Sequence, residues 1–128
     1  MRKTIFLYLA IFWSGLIIYL CLKNANEIKQ IEIPNFDKII HFVFHFVFTM
    51  LWFLYLKKKF KISNNINLLA VTLIISLVFG IAIELMQQYL TTTRTADVLD
   101  VLANLLGAFL AAFLIILVNA YNGLIDRI

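Results

Sequence analysis

The chain has 128 residues, 63% of them hydrophobic, with 12 Phe, four Gly, one Pro, one Cys and a formal net charge of +4. Soluble domains use about 45–50% apolar residues, and so short a chain has too little interior to hide the excess. Composition therefore excludes a water-soluble globule and makes the bilayer the expected solvent. One cysteine excludes an internal disulfide and a thiolate metal cluster.

Four apolar runs follow one another at residues 4–22, 39–56, 68–90 and 101–118, each near the roughly 20 residues that cross the hydrocarbon core as a helix. None alternates with period two, which argues against a transmembrane barrel. The expected fold is all-α: a polytopic membrane protein, one domain over residues 1–128, built as a bundle of four transmembrane helices. The first run follows Met1-Arg2-Lys3, as a signal peptide would. Its apolar stretch is too long for a typical h-region, no small-x-small site closes it, and Cys21 follows Ile18-Tyr19-Leu20 rather than small residues, so a retained span is expected.

The second run opens on Asn35-Phe36-Asp37, where Asp37 is an N-cap candidate with His41 at N4 on the same side. An Asp-x-x-x-His pair can orient an imidazole or share a divalent ion. Lys57, Lys58, Lys59 and Lys61 separate the second run from the third. In the third run Glu84, Gln87 and Gln88 share one helical face, Glu84 about 9 Å short of the helix end at Leu90. Ser76 and Gly80 precede Glu84 on the same side. In the fourth, Asp97, Asp100, Asn104 and Gly107 share a face, and Gly107, Ala108, Ala111 and Ala112 form small-xxx-small pairs that let helices approach closely. The third and fourth helices are expected to pack along these surfaces, which would also suit a homo-oligomer.

Arg2, Lys3 and the Lys57–Lys61 turn fall on one side of a four-span chain, so the positive-inside rule predicts an N-in/C-in orientation. The lysine turn reads as a topology determinant touching anionic headgroups, and no nucleic-acid partner is expected. Connections 23–38 and 91–100 then lie outside, and with them or in the outer half of a span lie Glu27, Glu32, Asp37, Glu84, Asp97 and Asp100, six of the seven acidic residues. Tyr19 and Tyr89 mark the outer border, and Trp52, Tyr55 and Tyr121 the inner one, as interfacial aromatic belts do.

A charge at the centre of a membrane helix costs about 2.5–3.5 kcal/mol, so intramembrane charges are functional candidates. Glu84 reads either as a carboxylate facing a cavity or as a strut paired with Arg94. For Asp97 and Asp100 an ordinary role exists, Asp97 as N-cap and Asp100 at N3 in a capping-box-like pair. Asn104, a turn deeper, escapes that explanation and is expected to hydrogen-bond across helices. No phosphate loop, HExxH or GxSxG is present, leaving metal-assisted or acid–base chemistry by Glu84, His41, Asp97 and Asp100 as the route open to an enzyme.

Three blocks carry a resemblance to a known family: Asp37-Lys38-x-x-His41-Phe42; Ile83-Glu84-Leu85-Met86-Gln87; and Arg94-x-x-Asp97-x-x-Asp100-Val101-Leu102-Ala103-Asn104-x-x-Gly107-Ala108. In these the chain resembles the VanZ-like family of small bacterial integral membrane proteins, whose namesake is linked to low-level teicoplanin resistance. Thr91-Thr92-Thr93 stands where the family often has Pro-Gly before the arginine, and His45 where an aromatic residue is usual. The resemblance implies a multi-pass protein of the bacterial cytoplasmic membrane and no settled reaction or cofactor. The expected site is an outer-facing polar pocket of Asp37, His41, Glu84, Gln87, Arg94, Asp97, Asp100 and Asn104. It would bind a cell-envelope precursor or lipid headgroup, Arg94 touching an anionic group, with no metal assigned. The alternatives are a metal-assisted hydrolase or transferase acting on a lipid or its phosphate, and a structural subunit of a membrane assembly.

Overall fold

A computed structural model describes residues 2–23 and 34–128. Glu27 and Glu32 lie outside the described residues. Four helices follow in order: α1 (Arg2–Leu22), α2 (Phe36–Phe60), α3 (Asn65–Leu90) and α4 (Val98–Asn122). All four are long and apolar enough to cross a membrane, and among the described residues there is no strand. The chain is a multi-pass helical membrane protein. Each helix extends past its apolar run because polar residues at the ends still complete hydrogen-bonded turns.

Local chemistry sets the ends. Asn64 caps α3, its Oδ1 accepting from the Asn67 N–H at 3.1 Å. Asp97 caps α4 as its position in the sequence predicts, accepting from the Leu99 N–H at 2.8 Å. Gly123 closes α4 in the left-handed region, φ 62°, with its N–H on the Asn119 carbonyl at 2.8 Å. The expectation for Asp37 is corrected. Asn35 is the N-cap of α2, at φ 57° with no side-chain cap bond, and its carbonyl accepts from the N–H groups of Lys38 and Ile39. Asp37 is already inside the first turn, where its charge suits the helix dipole.

Helix α2 touches all three others, whereas α1 and α4 each pack on α2 and α3 and not on each other. In cross-section the bundle is a rhombus with α2 and α3 on its short diagonal. Helix α4 approaches α2 closely at Gly107, where a Cβ would stand 2.1 Å from the Phe42 carbonyl oxygen. The glycine at the head of the small-residue stripe therefore seats on α2, not on α3 as the sequence suggests. Helical phase identifies a face and leaves its neighbour undetermined. Apolar side chains such as Ile74, Val78, Leu106 and Phe113 stay largely exposed, the surface that a lipid solvent requires.

Two apolar clusters fill the interior. One joins Ile17, Cys21, Phe44, Phe48 and Ile83, with Phe48 stacked on Phe79 at 4.6 Å. The other joins Phe53, Leu68, Leu69, Ala112, Ile115 and Ile125. Trp52 and Tyr55 face inward rather than forming a belt. The Trp52 indole donates to Ser14 Oγ at 3.1 Å and Tyr55 is buried, while Tyr19, Tyr89 and Tyr121 remain exposed. At the lysine-bearing end, buried Lys57 donates to the Ile62 carbonyl at 3.0 Å and to Asn65 Oδ1 at 2.6 Å, tying the α2–α3 turn. Asp126 accepts from Asn65 and Asn119, bonds that hold its carboxyl below the usual range.

Candidate functional site

The polar residues gather at the opposite end, where α1 and α3 finish and α2 and α4 begin. In a capping box the acid at N3 returns to the N-cap N–H. Here that N–H, on Asp97, donates instead to Glu84 Oε2 of α3 at 2.9 Å. Asp100 is thereby released from capping and turned into the bundle, where it is buried.

Lys38 meets it there. Its ammonium lies 2.8 Å from Asp100 Oδ1 and donates to Asp37 Oδ2 and Asp97 Oδ2, both at 2.6 Å. One cation from the first turn of α2 thus links three carboxylates. The bond from Lys38, reinforced by the Leu99 N–H, holds the Asp97 carboxyl below the ordinary aspartate range. Lys38 was absent from the site expected from sequence, although it stands in the Asp37-Lys38-x-x-His41-Phe42 block.

His41, one turn further along α2, is buried. Its Nε2 is 3.5 Å from Asp100 Oδ2 and its Nδ1 is 3.9 Å from Glu84 Oε1. The Asn104 amide fits its surroundings with its nitrogen donating to His41 Nδ1 at 3.1 Å and to the carbonyls of His41 at 3.2 Å and Asp100 at 3.3 Å. That orientation, assigned from the hydrogen-bond partners, leaves the ring proton on Nε2, facing Asp100. Asn104 makes the expected cross-helix contact. Among the described residues the buried Glu84 Oε1 has no hydrogen-bond partner.

Gln87 and Arg94 belong to the rim. Gln87 Nε2 donates to the Cys21 carbonyl at 2.8 Å and Arg94 Nε to the Lys23 carbonyl at 2.8 Å. Both pin the end of α1. Among the described residues Arg94 forms no ion pair with Glu84, Asp97 or Asp100; of the two readings open for Glu84, the strut paired with Arg94 is not formed, and Glu84 bonds the Asp97 backbone. Gln88 is exposed and accepts from the Ala96 N–H at 2.8 Å.

Beneath the cluster, His45 is fully buried with Nδ1 2.8 Å from Ser76 Oγ, its ring against Phe48 and Phe79. Gly80 makes room for both layers, since a Cβ there would stand 2.8 Å from the Asn104 amide and 3.1 Å from His45 Cε1. Nothing in the sequence assigned His45 a part; its i+4 spacing from His41 was the available signal.

Among the described residues the carboxylates of Asp37, Glu84, Asp97 and Asp100 gather beside Lys38, which contacts all but Glu84, with Arg94 at the rim, so the centre is acidic and suits a cation or hydrogen-bond donors. His41, Glu84 and Asp100 each offer a ligand-type atom within 4.8 Å of the others. Asp37, Asp97 and Asp100 are as close, but the Lys38 ammonium contacts all three.

Four helices long and apolar enough to cross a membrane, with buried His41, Glu84 and Asp100 meeting half-buried Lys38 at one end, define a class of multi-pass protein with a terminal polar site. Residues 6–119 match the VanZ/LLP1 family, and the chain belongs to that family. It is similar to "Uncharacterized protein C11E3.10" of Schizosaccharomyces pombe, 35% identical over 109 residues, which cover 85% of this chain and 62% of that protein. The chain thus spans under two thirds of the length of that relative. A fission-yeast relative lends no support to a specifically bacterial setting. No solved structure matches the chain.

Proposed function

We propose that the polar cluster is a receptor for the headgroup of a cell-envelope component or lipid, held in a membrane protein with both termini inside and the cluster at the outer border. The observation that carries this reading is the buried, unpartnered Glu84 Oε1. Buried polar atoms are nearly always paired, and a cluster kept only for stability gains nothing from an open carboxylate oxygen. Arg94 at the rim supplies a cation for an anionic part of the ligand, while Glu84, Asp97 and Asp100 shape the acidic centre. The lysine turn at the other end supports the orientation through the positive-inside rule. In a bacterial cytoplasmic membrane, occupancy of an envelope precursor would alter access of a glycopeptide to its target and so contribute to teicoplanin tolerance.

The test compares bacteria expressing wild type, Glu84→Ala, Arg94→Ala or empty vector at equal protein levels. Raised teicoplanin tolerance with wild type alone is the expected result. Equal tolerance in all four would remove the resistance reading. Polar substitutions that change only abundance or oligomeric state would favour a structural subunit instead.

A further inference from the structure

We infer that His41, Glu84 and Asp100 form a binding site for a divalent first-row cation. Each carboxylate is half used by the protein. Glu84 commits Oε2 to the Asp97 N–H and Asp100 presents Oδ1 to Lys38, and both turn their second oxygen toward the same imidazole. Three potential ligands, one from each of α2, α3 and α4, come within 4.8 Å of one another. Ligand atoms about 2.0–2.2 Å from a shared ion lie at most about twice that far apart, so little movement is needed.

The second, independent observation is Glu84 Oε1, on a side chain only 3% exposed and without a hydrogen-bond donor among the described residues. A cation at this point would supply the missing partner and offset the acidic excess. The donor set of one imidazole and two carboxylates suits Zn²⁺ or Mn²⁺ better than a hard ion confined to oxygen. Three protein ligands leave a position for water or a headgroup oxygen. Glu84 Oε1 stands nearer Nδ1 and Asp100 Oδ2 nearer Nε2, so an ion binding one ring nitrogen leaves the ring proton on the other, and affinity should fall at low pH. Lys38 keeps its place, because it uses the other oxygen of Asp100.

The site shares its residues with the headgroup reading but needs no headgroup, so the two fail separately. Full-length protein, purified in detergent and stripped with chelator, is dialysed against Zn²⁺ without added lipid. Close to one Zn²⁺ per chain is expected, with affinity reduced at least about tenfold in His41→Ala and Glu84→Gln and unchanged in Asp126→Asn at the far end. Substitution by Co²⁺ should give the visible spectrum of a mixed nitrogen–oxygen site. Should His41→Ala fail to fold, Glu84→Gln decides, because Gln keeps the acceptor for the Asp97 N–H. No Zn²⁺ bound to wild type, or equal Zn²⁺ in a folded Glu84→Gln protein, would overturn the inference. Loss of headgroup binding with Zn²⁺ retained would leave it standing and remove only the headgroup reading.

Discussion

Glu84 Oε2 accepts the backbone N–H of Asp97 at 2.9 Å, so a carboxylate buried in α3 caps the first turn of α4. This one bond links the fold to the site. It fixes where α4 starts and leaves Asp100 facing Lys38 and His41. The consequence is a separation between two substitutions. Glu84→Gln retains an acceptor, whereas Glu84→Ala strands the N–H; Ala should be less stable than Gln by about 1–2 kcal/mol, the worth of a helix cap. Thermal unfolding in detergent measures the gap, and equal stability of the two would remove the capping role.

The α2–α4 contact depends on the missing side chain at Gly107. An added Cβ meets backbone, not a movable side-chain tip, at 2.1 Å. Gly107→Ala should cost more than about 3 kcal/mol, beyond ordinary overpacking, and lower the yield of folded protein. Gly15→Ala is the control: no neighbour lies within 4 Å of its Cβ position, and helix propensity should return about 0.5–1 kcal/mol. Similar melting temperatures for the two variants would contradict the packing described.

Asp97 titrates below the ordinary aspartate range because Lys38 and the Leu99 N–H both bond its ionised form. A carboxyl whose folded pKa is depressed adds stability that is complete above its unfolded value, near pH 4, and is lost as pH falls through the lower folded value. The Asp97 carboxyl should thus titrate below an unperturbed aspartate, and Lys38→Met should move its titration upward. Carboxyl NMR in micelles reads both, and an unmoved midpoint in Lys38→Met would exclude Lys38 as the principal cause.

His45 and Ser76 should behave as one unit. Their 2.8 Å contact is buried between α2 and α3, so replacing either alone strands the other. A double-mutant cycle with His45→Phe and Ser76→Ala should show coupling of about 1 kcal/mol, and additive effects would count against the bond.

Some of this was legible in the sequence and some was not, for identifiable reasons. Spans follow from runs of apolar residues, and the Asp97 cap from one residue at a helix border. Glu84 drew notice because no loop explains a charge at its depth. Lys38 did not, because its meaning depends on Asp97, 59 residues away, and no periodicity reports such a pairing. Arg94 misled for the converse reason: a lone arginine among acids suggests an ion pair, yet its Nε is held by the Lys23 carbonyl. The Gly107 stripe announced a close contact without naming α2.

The proposed headgroup receptor differs from a polar brace in holding a ligand. Native mass spectrometry of the purified protein, beside Glu84→Gln at matched thermal stability, tests it most directly. Wild type should retain a lipid or envelope component that is absent from Glu84→Gln. The same bound species at the same occupancy in both proteins would contradict it.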